Sequence, residues 1–230
     1  MVTTAVIPVA GRGKRLKPLT DKIPKCMLKI CKDKTILDHQ LENLRRYGVD
    51  EIVVVTGYKQ ERVNTSFQVK KIVNERYDVT ETTYSIFLAK DFLMGDVIIM
   101  DGDLIFNEKL LEMLLSSKSN SVLIDFSKRF CEEDMKVTIR DGFISDSSKD
   151  IEDQDGVWVG AAKISSFSLP EFKEVISNEK LWRCWWNVII NSMNTQFKAV
   201  GSQGYEWIEI DTKEDLEEAC RLIKRWYNEI

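Results

Sequence analysis

The residues best suited to chemistry in this 230-residue chain crowd near its start. A short apolar run, Ala5-Val6-Ile7-Pro8-Val9, leads into Ala10-Gly11-Arg12-Gly13-Lys14-Arg15-Leu16-Lys17-Pro18-Leu19-Thr20 and then Pro24-Lys25-Cys26-Met27-Leu28. This order predicts a strand feeding a phosphate-binding loop. Gly11 and Gly13 let the backbone turn and present N–H groups, and Lys14, Arg15 and Lys25 supply cations able to neutralise a polyphosphate. A nucleoside triphosphate suits such a loop. The spacing is neither the G-x-x-x-x-G-K-[ST] of a P-loop nor the G-x-G-x-x-G of a dinucleotide fingerprint, which argues against ATPases, GTPases and dehydrogenases. The basic residues interleave with Gly, Pro and Thr without helical period, so they read as a working loop rather than a solvated helix face.

Carboxylates are the second chemical element. Asp101-Gly102-Asp103 follows the apolar run Val97 to Met100 and therefore stands at a strand end. Two acids around a glycine can hold a hard divalent cation through oxygen, and the same tripeptide fits an acidic turn in which an Asp caps the next helix. Glu209-Ile210-Asp211 is the other acidic group. Asp211 with Glu214, or Thr212 with Asp215, would make a capping box for the last helix, and the residues alone favour that structural role for Asp211.

Absences narrow the reaction. The only histidine, His39, falls in a helical pattern and reads as a polar helix-face residue, so a His-based triad or a multi-histidine metal site is hard to build. Transfer to a phosphate or phosphonate oxygen needs no such base, because that oxygen is already anionic at neutral pH, its second pKa being about 6. Alignment and charge neutralisation by Lys, Arg and Mg²⁺ then suffice. A net charge of −4 argues against nucleic acid and anionic membrane as partners. Cys26, Cys31, Cys131, Cys184 and Cys220 are odd in number and scattered without C-x-x-C spacing, which argues against a zinc site or a disulfide scaffold. The chain lacks a signal-peptide pattern and any apolar run of about 18 residues; a soluble, cytoplasmic protein is expected.

The elements that must position these groups follow from hydrophobic period. Apolar spacing predicts helices over Thr35 to Tyr47, Thr82 to Phe92, Lys109 to Ser116, Pro170 to Ser177, Trp182 to Met193 and Thr212 to Tyr227. Strands are predicted at Glu51 to Thr56, Lys70 to Val73, Asp96 to Met100, Ser121 to Phe126 and Phe197 to Val200. Met135 to Ile139 and Val157 to Ile164 read as further strands around a turn at Asp141-Gly142, as a hairpin-like excursion over the site. Alternating strand and helix imply right-handed βαβ units and a mostly parallel sheet, with ligands beyond the carboxyl ends of the strands. With no linker or repeat, residues 1–230 are expected to form one domain.

The segment Gly11 to Thr20 resembles the nucleotidyltransferase signature G-x-G-x-R-L-x-P-L-T, followed by P-K at Pro24-Lys25. Together with Val55-Thr56-Gly57-Tyr58, Asn74-Glu75-Arg76-Tyr77, Thr83-Tyr84-Ser85-Ile86, Asp101-Gly102-Asp103, Met135-Lys136-Val137, Gly156 with Gly160, Trp185-Trp186-Asn187 and Glu209-Ile210-Asp211, the chain is similar along most of its length to the choline-phosphate type of cytidylyltransferase, a branch of the sugar-phosphate nucleotidyltransferases. The resemblance implies an α/β, Rossmann-like three-layer sandwich. It implies that Ala10, Gly11, Gly13, Lys14, Arg15 and Lys25 bind CTP, that Lys25 and Arg15 act on the reacting phosphate, and that Asp103 and Asp211 hold Mg²⁺. The acceptor, a small phosphorylated or phosphonate compound destined for surface glycan or lipid decoration, would meet Asp101, Trp158, Trp185, Trp186, Asn187 and Glu209. Trp182 is a further aromatic wall for it. Asn187 stands where choline enzymes commonly have Asp, and Thr82 where Asn is common, so the acceptor need not be choline phosphate. A sugar-1-phosphate nucleotidyltransferase using UTP, dTTP or GTP and a non-catalytic nucleotide-sensing subunit are the alternatives, and a monomer or homodimer is expected.

Overall fold

The computed structural model describes residues 2–49 and 51–227. In chain order its elements are β1 (Thr3–Pro8), β2 (Lys29–Cys31), β3 (Lys34–Thr35), α1 (Ile36–Arg46), β4 (Glu51–Thr56), β5 (Lys70–Val73), α2 (Thr82–Leu88), β6 (Asp96–Met100), β7 (Leu104–Phe106), α3 (Glu108–Ser116), β8 (Ser121–Asp125), β9 (Lys136–Arg140), β10 (Phe143–Ser148), β11 (Gly156–Ile164), α4 (Leu169–Ile176), α5 (Asn187–Ser192), β12 (Lys198–Gly201), β13 (Trp207–Glu209) and α6 (Lys213–Trp226). No helix among the described residues is long and apolar enough to cross a membrane.

A nine-stranded sheet in the order β5-β4-β1-β6-β11-β8-β12-β10-β9 forms the middle layer. Its central strands are apolar on both faces because both are covered. On β1, Ala5 and Ile7 join one core with Leu37, Leu41 and Leu44 of α1 and Leu110, Leu111 and Leu114 of α3. Val6, pointing the other way as strand alternation requires, joins Ile86 of α2, Phe172 and Ile176 of α4, and Ile189 of α5. A third cluster seats α6, through Ala219 and Ile223, on Ile30, Ile105 and Ile210. This is the expected α/β sandwich.

The parallel character is confined to part of the sheet. β4, β5 and β6 align with β1 through parallel pairings, and β8 runs parallel to β12. β11 is antiparallel to β6 and β8, so Val157 to Ile164 is a central strand, and the hairpin at Asp141-Gly142 is made instead by β9 and β10. The paired strands β7 and β13 had no sequence signal, being three residues each. The chain reverses sideways direction at β1, with β4 on one flank and β6 on the other, and a crevice opens there beyond the strand ends.

Two helices are shorter than their apolar period suggests. The stretch from Trp182 to Trp186 is irregular, with α helix only at Asn187–Ser192, because the carbonyls of Trp182 and Cys184 accept from the backbone N–H groups of Glu81 and Thr83 at the start of α2 (2.9 and 3.4 Å). α2 stops at Leu88, and a single 3-10 turn covers Lys90–Phe92. His39 is no surface residue: it is fully buried, its Nε2 lies 3.0 Å from the Phe106 carbonyl, and burial holds its pKa down to about 4.

Lys163, on β11, is also buried. Its ammonium pairs with Asp96 at 2.9 Å and donates to the carbonyls of Leu115 and Ser117 (3.0 and 2.7 Å), closing the C-terminus of α3. Lys163→Met should therefore leave a carboxylate and two carbonyls without their donor and cost about 2–3 kcal/mol in urea unfolding; a loss below about 0.5 kcal/mol would contradict this role.

Candidate active site

A cleft of about 1020 Å³ lies at the carboxyl ends of β1 and β6. Its first wall is the loop after β1. Gly13 takes a left-handed conformation (φ +58°), and a Cβ there would come within 3.1 Å of Lys25 Cβ and Thr20 Cγ2. The Thr20 hydroxyl donates to the Gly13 carbonyl at 2.8 Å, and buried Leu16 fastens the turn to the α6 side of the protein. Ala10, Gly11, Gly13, Lys14, Arg15 and Lys25 all line the cleft.

Acidic strand ends form the floor. Lys25 Nζ donates to Asp103 Oδ2 at 2.6 Å and to Asp211 Oδ1 at 2.7 Å, and Arg15 reaches Asp211 Oδ2 at 2.8 Å. Burial works against the Lys25 charge, but Asp103 and Asp211 outweigh it and the pKa is raised. Burial likewise opposes the charge on Asp211, and Lys25 and Arg15 reverse the balance, so its pKa is lowered. The capping role that the sequence favoured for Asp211 belongs to its neighbours: Thr212 caps α6 in a box with Asp215. Similarly α3 is capped by Asn107, and neither Asp101 nor Asp103 serves it. Gly102 lets the two strand ends meet, since a Cβ there would sit 2.4 Å from Val9 Cγ1 and 2.6 Å from the Pro8 carbonyl oxygen.

Asp101 and Glu209 converge beside Gly160, where an added Cβ would lie 3.1 Å from Asp101 Oδ2 and 3.2 Å from Glu209 Oε1. Burial, then Asp103, raises the Asp101 pKa to about 8, although Trp186 Nε1 donates to it at 2.7 Å. Glu209 is raised by the same causes. The floor thus gathers Asp101, Asp103, Glu209 and Asp211 around Lys25 and Arg15. This donor set fits Mg²⁺: Asp103 and Asp211 already share one cationic group, and Mg²⁺ commonly takes one or two carboxylates and completes its shell with water and substrate phosphates. Among the described residues no group of three or more His, Cys, Asp or Glu is arranged to hold a metal ion.

The tryptophans divide. Trp158 and Trp186 are buried and meet edge to face at 4.6 Å, forming both cleft wall and core. Trp185 is exposed at the mouth. Asn187 lines the cleft, but its amide donates to the Ser147 carbonyl at 2.9 Å and ties α5 to β10. Trp182 is outside the cleft, packed on Tyr84 and Phe87. Several lining residues are not singled out by the sequence reading: Arg12, whose guanidinium lies 5.8 and 5.6 Å from the rings of Tyr58 and Tyr77, and Glu81, Glu133, Lys149 and Arg183. Arg12 sits inside the glycine loop and could have been found there. The others meet only through tertiary structure.

Comparison with known proteins gives this geometry a context. Residues 4–128 match the family described as Nucleotidyl transferase. The CTP:phosphoglutamine cytidylyltransferase of Campylobacter jejuni is 30% identical over 93% of this chain and 97% of its own length. The choline-phosphate cytidylyltransferase of Streptococcus pneumoniae is 28% identical over 51% of this chain and 52% of its own. Among solved structures, the inositol-1-phosphate CTP transferase of T. maritima shares the fold, with a TM-score of 0.79 at 20% identity over 97% of this chain and 96% of that one.

The raised pKa of Asp101 has a measurable sign. Between the ordinary carboxylate range and about 8, the folded protein keeps a proton on Asp101 that the unfolded chain releases, so this group's contribution to stability falls as pH rises through that window. Asp101→Asn retains an acceptor for Trp186 and removes the titration. Its melting temperature relative to wild type should rise between pH 5 and pH 8; a difference independent of pH would contradict the assignment.

Proposed function

The chain belongs to the nucleotidyl transferase family, and on that premise we propose that it joins the cytidylyl group of CTP to a small phosphorylated or phosphonate acceptor with release of pyrophosphate. The observation that carries this reading is the Lys25 ammonium held between Asp103 and Asp211 beside a glycine loop whose Gly11, Gly13 and Arg15 line the same cleft. Relatives named for CTP with phosphoglutamine and with choline phosphate support cytidylyl transfer over sugar-nucleotide synthesis. The product would be an activated headgroup of the kind that surface glycan or lipid decoration consumes.

In this reading the loop from Ala10 to Lys14 holds the triphosphate by its backbone N–H groups, and Lys14, Arg15 and Lys25 offset its charge. An acceptor oxygen attacks the α-phosphorus in line. The new P–O bond forms as the bond to the oxygen bridging to the β-phosphate breaks, and pyrophosphate leaves with that electron pair. The attacking oxygen is already anionic, so no general base is used. Lys25 and Arg15 stabilise charge as it shifts toward the leaving group. Mg²⁺ held by Asp103 and Asp211 would supply a Lewis acid that polarises phosphoryl oxygens.

Pyrophosphate release should be confined to CTP among the common nucleoside triphosphates and to a non-sugar acceptor. Lys25→Ala and Asp103→Ala should each lower turnover at least about 10²-fold with an unchanged circular dichroism spectrum, and chelation of divalent ions should stop it until Mg²⁺ is restored. Turnover of hexose 1-phosphates would move the protein to the sugar branch, and a near-normal rate in either variant would refute the residue roles.

A further inference from the structure

Of the cleft's tryptophans, Trp185 is 47% exposed, against 3% and 4% for Trp158 and Trp186. Its backbone is fixed, because the adjoining residues Cys184 and Trp186 bond to Thr83 and to the Thr82 hydroxyl at the start of α2. Its side chain, near Glu81, works against the burial that raises the Glu81 pKa. The indole face is covered by Lys149, just after β10, which places Nζ 4.3 Å from the ring centroid. That ammonium also lies 3.2 Å from Glu133, whose carboxylate faces Arg15 at 3.6 Å.

An exposed indole in a nucleotide-transfer cleft is where a quaternary ammonium headgroup would stack. Here the protein's own ammonium holds that face. A cationic acceptor must either displace Lys149 from both Trp185 and Glu133 or lie against a like charge, and like-charge juxtaposition is how a site rejects a competitor. An acceptor ending in a carboxylate meets the reverse situation, since Lys149 exchanges Glu133 for the ligand's anion while staying on the indole. Arg183 lines the same mouth, and Glu81 offers an anionic partner for an amine carried beside that carboxylate.

We propose that Lys149, displayed on Trp185, is a specificity-determining residue that selects acceptors bearing a carboxylate at the end away from the phosphate and rejects purely cationic ones. This rests on the cytidylyl-transfer reading above. The test uses O-phosphoserine, glycerol 3-phosphate and phosphocholine, bound to the full chain by calorimetry without nucleotide and assayed for pyrophosphate release with CTP. Wild type should prefer them in that order. Lys149→Met should weaken O-phosphoserine by about tenfold or more while improving phosphocholine, Lys149→Glu should reverse the order, and Lys149→Arg should keep it. A wild-type preference for phosphocholine, an order unchanged in Lys149→Glu, or an equal loss for all three in Lys149→Met would overturn the proposal, the last by making Lys149 a phosphate ligand. If the order holds in binding but no probe releases pyrophosphate from CTP, the specificity proposal stands and the transfer reading falls.

Discussion

Carboxylates repel one another when they are brought out of water, and Asp103 and Asp211 are brought together by folding across 108 positions of sequence with Lys25 between them. At a separation of about 4 Å, two unit charges interact by about 4 kcal/mol in a partly buried setting, so the arrangement is tolerable only with a cation in place. Lys25 is that cation, with Arg15 supporting it on the far side of Asp211. Much of the surrounding backbone serves this convergence. Gly13 packs its turn onto Lys25, Gly102 lets the end of β6 close on β1, and the pairing of β13 with β7 brings Glu209 and the following Asp211 to the strand end that carries Asp103.

The sheet topology explains why this happens at one place. β1 is flanked by β4 and β6, and the loops leaving β1 and β6 diverge into the crevice that open α/β sheets use for ligands. β11 then runs antiparallel through the sheet and delivers Trp158 and Gly160 to the floor, while the β9–β10 hairpin and the irregular stretch before α5 build the mouth. The cleft is therefore lined from both halves of the sequence.

How much of this was legible in the sequence depended on distance along the chain. The glycine loop with Arg15 and Lys25 was readable as one group because its pattern is local: glycines, cations and prolines lie in one short segment, and the structure brings them to one cleft. Asp103 was visible as an acid at a strand end, but its meeting with Asp211 required the β7–β13 pair, whose strands are too short to carry a periodic signal. The spacing of Trp182, Trp185 and Trp186 suggested one helix face, yet α2 takes the backbone carbonyls of that stretch, tertiary contact overriding period, and Trp182 leaves the cleft. Glu133 and Lys149 had no local pattern at all; the hairpin places them. His39 read only as a polar helix-face residue because a helical period does not show that Phe106 and its carbonyl lie on its buried side.

In the proposed reaction the Asp103–Lys25–Asp211 cluster is where charge from a bound nucleotide and its metal ion would be accommodated. Calorimetric binding of CTP to wild type and to Asp211→Asn, with and without Mg²⁺, tests it most directly. Wild type should bind CTP more tightly with Mg²⁺ than without, and Asp211→Asn should lose most of that advantage while keeping its fold. An affinity for CTP indifferent to Mg²⁺, or a variant that retains the full advantage, would contradict the account.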